Sequence, residues 1–397
     1  MDQSLNISIV TPTSGRVNLV ERLLVSLMPE RESYPYGETE VLVVNSGSEE
    51  EAAAIRTLCE KYDAKFFPGE VSVRKKRNLG IEKAQYEVVL FLDSDVAAEK
   101  GLLRFHAETY LKDREDCSVT GNSDFSQGNC SDSEKESRLG GVFGLTRFVG
   151  HKSWWWKVVE QTTYLDSFSF AERFPYNAWT IGNNVSFYRR VLLEVGMFEV
   201  NFPFPLGGDD LDMTYRITKT GYLIKSCPQA VTLHSTETWN RPKAIYDRTR
   251  RWGSMDYFLS QRHPEIFTDC IPKSGALFVC VFIVLAVLSA VFRSWTPLLC
   301  AVIWFVLHAV ICWIYDCAHK EGGNPLFYAM GKVIRAAYRG YYMRAGLRHR
   351  DVSCVHKEMS FSLDQTKFMQ RREIAVFKIF LITFVLMLVC LGIYNIF

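Results

Sequence analysis

The stretch YEVVLFLDSD, residues 86–95, decides how the chain is read. From Tyr86 to Leu92 it is an apolar run, short and rich in β-favouring side chains, which predicts a strand buried on both faces. The run stops at Asp93-Ser94-Asp95. Two carboxylates two residues apart at the end of a buried strand can reach one hard cation, and such a cation commonly bridges phosphates. Working outward, Asn6–Thr11, Glu40–Val44 and Ala64–Phe67 are strand-like, while Val17–Met28, Glu49–Lys61 and Val73–Ala84 have helical spacing. This alternation predicts an α/β fold with a parallel sheet and helices on both faces. Ligands of such sheets bind beyond the carboxyl ends of the strands. Polar clusters fall at those ends: Thr11-Pro12-Thr13 after the first strand, Asn45-Ser46-Gly47-Ser48 after the second and Asp93-Ser94-Asp95 after the fourth.

Further signals follow along the chain. SVRKKRN, residues 72–78, is a basic helix start, and a helix N-terminus with cations suits a diphosphate. Gly182-Asn183-Asn184 precedes a second acidic cluster, Gly208-Asp209-Asp210-Leu211-Asp212, where Asp210 opens a helical segment that closes at Gly221. One carboxylate there would be a cap. Three in four residues exceed that need, and clustered acids can hold a base near a metal and tune its pKa. His234 ends another strand pattern, as a structural histidine or as a ligand. Arg251-Trp252 is either an interfacial anchor or a contact for phosphate or sugar. Trp154-Trp155-Trp156 fits core packing, a sugar-stacking platform or bilayer contact. Ser123–Gly141 is polar and rich in Gly and Ser, which predicts a loop.

The 397 residues, 48% hydrophobic, have a formal net charge of +2. Their mean hydropathy is −0.02. That length allows two to three domains of about 150 residues. Plentiful aromatics and balanced charge exclude a disordered chain and a globally basic binder of nucleic acid. The averages conceal two unlike pieces. From Ser274 onward there are 13 Lys and Arg against 6 Asp and Glu, a balance of +7; the rest has 33 against 38, a balance of −5. Ser274–Phe292, Trp295–Tyr315 and Ile379–Phe397 carry no charge. A bilayer core of ~30 Å takes ~20 apolar residues, so membrane spans are expected at about 274–292, 295–315 and 375–397. Basic residues gather between the second and third spans, from Lys320 to Arg372. By the positive-inside rule that segment and the head face the cytoplasm. The division expected is 1–265 for the cytoplasmic head and 266–397 for an α-helical membrane domain. Residues 326–350 read as an amphipathic interfacial helix.

Taken together, these motifs resemble the family 2 glycosyltransferases, with landmarks from Ser8 to Trp252. The resemblance implies a GT-A, Rossmann-like nucleotide-binding fold and transfer of a sugar from a nucleoside-diphosphate donor with inversion. By match, Thr11, Pro12, Thr13, Asn45, Arg77, Asp93, Ser94 and Asp209 would bind the nucleotide-sugar. Asp93 and Asp95 would hold Mg2+ or Mn2+, with His234 at a position that adds a ligand in some members. Asp210 would be the general base. Arg251-Trp252 resembles the QxxRW motif of processive members and, with Trp155, would meet acceptor or diphosphate. Three positions depart from the pattern: Asn45 stands where Asp commonly reads the base, Asp209 replaces Glu, and Arg248 replaces Gln. The expectation is a membrane-anchored enzyme adding one sugar to a lipid-linked glycan or glycolipid. The alternatives are a polyprenyl-phosphate sugar synthase, a processive polysaccharide synthase and an inert scaffold.

Overall fold

The computed structural model describes residues 4–119, 138–162, 164–269, 274–319, 323–359 and 365–396. They form two compact units, Met1–His151 with Leu165–Thr238, and Lys152–Tyr164 with Trp239–Phe397. The expected division at 265/266 follows composition; the division by compactness falls elsewhere, and the second unit also takes a short excursion from within the first.

In chain order the first elements are β1 (Ile7–Thr13), α1 (Val17–Glu32), β2 (Thr39–Asn45), α2 (Glu49–Lys61), β3 (Lys65–Pro68), α3 (Val73–Lys83) and β4 (Val88–Leu92). Then come β5 (Val96–Ala98), α4 (Leu102–Val119), β6 (Arg138–Val149) and, in the excursion, α5 (Trp154–Val159). The first unit closes with α6 (Phe170–Arg173), β7 (Tyr176–Asn177), β8 (Asn184–Tyr188), α7 (Arg189–Glu194), α8 (Asp209–Lys219) and β9 (Tyr222–Ser235).

Nine strands form one sheet in the order β3-β2-β1-β4-β8-β6-β9-β5, with β7 paired to β9. The neighbouring pairs Ile9 and Val10, Leu42 and Val43, and Val89 and Leu90 point to opposite faces and are all fully buried, so β1, β2 and β4 are covered on both faces, which explains their continuous apolar sequence. α2 begins with a capping box between Ser48 and Glu51. α3 seats closely on β1: a Cβ at Gly80 would lie 2.3 Å from a Val10 methyl.

The parallel pairing expected from the first stretch holds for β1 to β4, and β6 also runs parallel to β9. β8 enters antiparallel between β4 and β6, and β5 and β7 pair antiparallel with β9. Strict strand–helix alternation ends after β4, and with it the reason for parallel pairing. Arg138–Gly141, read above as the end of a loop, is strand; the rest of that loop, up to residue 137, lies outside the described residues. The glycines that suggested a loop mark close packing instead. A Cβ at Gly141 would lie 2.4 Å from the Phe187 ring, and one at Gly144 would lie 2.5 Å from the Ala230 carbonyl.

The second unit continues with α9 (Pro242–Arg262), β10 (Phe267–Asp269), α10 (Ser274–Val291), α11 (Thr296–Ala318), α12 (Pro325–Arg348), β11 (Lys357–Met359) and α13 (Gln365–Ile396). β10 and β11 pair antiparallel. α9 lies against α12, where Gly253 faces the Tyr338 carbonyl and the Tyr338 hydroxyl donates to Asp256 at 2.6 Å. Phe278, Trp304 and Phe380 join α10, α11 and α13, and Trp304 Nε1 donates to the Thr383 hydroxyl. Among the described residues, Thr296–Ala318 and Ile374–Gly392 are long and apolar enough to cross a membrane, and Phe278–Val291 is a shorter apolar helix. Little of the two longer ones is covered by the rest of the chain, 22% and 17%. Basic residues of α12 serve the unit itself. Lys332 lies 3.9 Å from the buried Asp316, which accepts from the Tyr328 hydroxyl, and Arg339 donates to the carbonyls of Cys354 and Lys357. Leu326, Val333 and Leu347 are left exposed.

Because α3 carries residues of the site described next, its seat on β1 can be tested directly. Gly80→Ala should lower stability by about 1–3 kcal/mol through overpacking against Val10, read as a lower denaturant midpoint for the detergent-solubilised protein.

Candidate functional site

The site is organised around Arg77, which α3 carries into the interior, 4% exposed. Its Nη1 donates to Asp209 at 2.6 Å; its Nη2 donates to Asp93 at 3.1 Å and to the Gly182 carbonyl at 3.0 Å. One guanidinium thus ties the end of β4, the start of α8 and the turn before β8. Burial opposes its charge, but Asp209 and Asp93 outweigh that and push its pKa further up. Gly182 is required for the approach: a Cβ there would sit 2.6–2.9 Å from the guanidinium. Arg77 and Asp209, both expected to touch a nucleotide, are bound to each other. Asp209 also accepts the Gly207 amide at 2.9 Å.

The three acids of α8 differ in their partners. Asp212 pairs with Arg216 at 2.9 Å, and Arg216 also donates to the carbonyls of Val195 and Met197. Asp210 is half-buried and accepts two backbone amides, Gly182 at 3.2 Å and Leu211 at 3.0 Å. Burial, reinforced by the neighbouring Asp209 charge and opposed by Arg77, pushes its carboxyl up to about 6. It is therefore a carboxylate fixed by amides rather than by a cation, with a pKa suited to exchanging a proton near neutrality.

Asp95, at the other end of the node, has one oxygen 3.3 Å from His234 Nε2. Its other oxygen accepts from Arg16 Nη1 at 3.3 Å and from the Thr238 hydroxyl at 3.2 Å. His234 Nδ1 lies 2.9 Å from the Ser235 carbonyl and so carries the proton in that contact. Nε2 is thereby aimed at the Asp95 carboxylate, and metal-binding histidines commonly donate their other N–H to a carbonyl in this way. Burial holds the Asp93 carboxyl above its usual range; Arg77 pulls it down and Asp95 pushes it up. Among the described residues no three acidic, histidine or cysteine side chains close into a metal cluster. The donor chemistry nonetheless fits Mg2+ or Mn2+: two carboxylates with an adjacent imidazole.

Beside these groups lie the carboxyl ends of β1 and β2. Asn45 Oδ1 accepts the amides of Gly15 and Gly47, each at 3.0 Å, and so joins the two loops. Lys76 is buried and donates to the Thr13 carbonyl, Ser14 and Ser46 at 2.7, 2.7 and 2.9 Å. Burial, with the charges of Arg16 and Arg77, pushes its amine down to about 8. Thr11 and Ser94 are buried nearby in sequence, and the Thr11 hydroxyl has no partner among the described residues. A cavity of 620 Å3, lined by Asn45, Ser46, Arg56, Phe66, Ser72 and Lys75 among others, opens at the ends of β2 and β3. Neither Arg16 nor Lys76 was singled out from the sequence; Lys76 stands next to Arg77 in a basic run whose members face different ways only once the helix is placed.

The remaining candidates belong to the second unit. Trp252 packs edge-on to Tyr164 and Trp239 at 5.5 and 6.0 Å, and Arg248 stacks 3.9 Å over Trp239. Trp155 meets Trp154 at 4.9 Å, and Trp154 meets Phe327 at 5.4 Å. Arg251 lies on α9 in the same unit.

Residues 8–170 match the family described as Glycosyl transferase family 2. The matched stretch is under half of the chain and takes in β1 to β6. The mixed α/β sheet is of the GT-A kind. The chain is 24% identical over 296 residues to a chondroitin synthase of Pasteurella multocida (strain Pm70), covering 68% of this chain and 29% of that protein. It is 24% identical over 295 residues to a hyaluronan synthase of Pasteurella multocida, covering 68% and 28%. It thus spans under a third of the length of these curated relatives. Among solved structures, the mannosyltransferase PcManGT from Pyrobaculum calidifontis, in complex with GDP-Man and Mn2+, aligns with a TM-score of 0.42 at 17% identity, over 88% of this chain and 86% of that one. S. aureus TarS aligns with a TM-score of 0.36 at 15% identity, over 64% and 40%.

The glycosyltransferase domain should depend on Arg77 for stability. Arg77→Met leaves Asp209 and Asp93 without their cation in a buried setting, at a cost of about 3–5 kcal/mol. Arg77→Lys, which keeps the charge but not the forked donor, should lose less. Equilibrium denaturation of both variants checks the order.

Proposed function

We propose that this chain is a membrane-associated, inverting glycosyltransferase that moves a sugar from a nucleoside-diphosphate donor to a hydroxyl of a membrane-held acceptor. The observation that carries this reading is Asp210, a carboxylate held by two amides, without an ion-pair partner among the described residues and linked through Gly182 and Arg77 to the Asp93 end of the site. The nucleoside would lie along Thr11, Pro12, Thr13 and Asn45, with Ser94 beyond β4. Asp93, Asp95 and His234 would hold Mg2+ or Mn2+, which neutralises charge on a leaving diphosphate. Asp210 takes the proton of the acceptor hydroxyl as its oxygen forms a bond to the anomeric carbon. The bond from that carbon to the diphosphate oxygen breaks on the opposite face, which inverts the centre. In this scheme Arg77 and Asp209 position Asp93 and Asp210 rather than bind the donor.

Two long apolar helices with little internal cover support membrane association. Residues 266–397 then form the membrane domain, with 326–350 at the interface, and the basic residues from Lys320 to Arg372 support a cytoplasmic catalytic unit. A lipid-linked glycan or glycolipid is the acceptor that such an anchor would concentrate. Trp155, Arg251 and Trp252 are proposed to face that acceptor. A second reading, repeated addition to one polymer, is favoured by the matched relatives, which are named as chondroitin and hyaluronan synthases. Product length separates the two: single-sugar adducts support the first, long polymer from the purified protein the second.

The chemistry is tested by metal-dependent release of nucleoside diphosphate in the presence of membrane lipid extract. Asp210→Asn and Asp93→Ala should each lower turnover by about 100-fold or more, and Asp210→Asn should keep its affinity for nucleotide. Wild-type turnover in both variants overturns the assignment. Full activity in Asp210→Asn alone points to a phosphate acceptor, which needs no base, and so to a polyprenyl-phosphate sugar synthase. Since Asp210 works as the ionised form and its carboxyl stands at about 6, turnover should rise with pH, reach half its plateau near that value and level off above it.

A further inference from the structure

Arg16 has no part in the scheme above, yet it touches the centre of the site. It precedes α1 with φ 60° and ψ 48°, a left-handed conformation uncommon for a residue other than glycine or asparagine, and it follows Gly15, also left-handed at φ 67°. This double left-handed turn aims the arginine from the end of β1 across to the end of β4. Its Nη1 reaches Asp95 at 3.3 Å, while half of its side chain stays in solvent. Asp95 is thereby engaged on one oxygen by a guanidinium and faces His234 Nε2 with the other. Lys76 lies close enough to Arg16 to feel its charge, and Lys76 is itself bonded to Ser14 and Ser46. The cation on Asp95 thus stands between a candidate metal ligand and the β1–β2 edge where a diphosphate would lie.

We propose that Arg16 is a latch on the donor site: it neutralises Asp95 before the donor arrives, gives way to the divalent cation, and then turns its guanidinium to the donor's diphosphate. The proposal rests on the donor-site reading given above. A half-exposed ion pair contributes little and is readily exchanged. A divalent ion competes for the same carboxylate oxygen, and a guanidinium fork matches phosphate oxygens in two-point geometry. The exchange keeps a cation on Asp95 in both states, and the leaving diphosphate gains a donor that the metal alone does not supply. It also gives Arg16 effects of opposite sign on two ligands, whereas a residue that merely held Asp95 in place would help both.

The experiment uses the full chain in detergent or nanodiscs. Mn2+ binding without nucleotide is followed by the electron paramagnetic resonance of free Mn2+. Binding of UDP and of GDP is measured calorimetrically at saturating Mn2+. Arg16→Gln should bind Mn2+ about threefold to fivefold more tightly, and the better-bound diphosphate about tenfold more weakly. Arg16→Gly, which accepts the left-handed backbone without strain, must show the same pair of changes, so a poorly folded Gln variant does not rescue the proposal. Unchanged or weaker Mn2+ binding in a folded variant overturns the latch while leaving the donor site standing. Failure of the wild-type chain to bind Mn2+ and both nucleotides overturns the donor-site reading, and the latch with it.

Discussion

The site depends on the buried charge of Arg77. Arg77 costs free energy to bury, and that cost is offset only because two carboxylates and a carbonyl converge on it. Each partner comes from a separate stretch of chain, so satisfying the guanidinium also fixes the distance between the end of β4 and the start of α8. Asp210 inherits its place from this node: Gly182 gives its carbonyl to Arg77 and its amide to Asp210. A carboxylate that must stay uncommitted to a cation while lying close to one needs such an arrangement, in which a neighbouring acid takes the charge and a backbone amide fixes the geometry.

The acids of the head therefore divide by partner. Asp209 and Asp212 are matched with Arg77 and Arg216 and stabilise structure. Asp210 meets amides only. The ion pairs of Asp93 and Asp95 each have one side partly open to solvent, Asp93 itself opposite Arg77 and Arg16 opposite Asp95.

Much of this was legible in the sequence because it rests on local pattern. Continuous apolar runs gave β1, β2 and β4, helical spacing over Glu49–Lys61 marked α2, and the polar clusters fell at the strand ends. The rest depends on long-range contact. Nothing local in Val185-Ser186-Phe187 says that β8 runs antiparallel to β4. The glycines of β6 resemble loop glycines until the Phe187 ring and the Ala230 carbonyl are seen against them. Arg77 was noticed as basic, but a buried node and a phosphate ligand share one spelling, and only the converging carboxylates tell them apart. In the same way Lys332 and Arg339 looked like lipid-facing cations on α12, and both are turned to groups of their own unit.

The chain passes between its two compact units three times, at 151/152, 164/165 and 238/239. The thirteen-residue excursion carrying the three tryptophans is therefore a stitch, and the catalytic unit is not a contiguous module. A cut at Thr238 still leaves Lys152–Tyr164 behind, with Tyr164 and Trp154 parted from the Trp252 and Phe327 rings they pack against. The second unit is thus encoded in two places: residues 239–397 cannot be exchanged as a block without also revising the short helix Trp154–Val159 in the middle of the first unit's sequence.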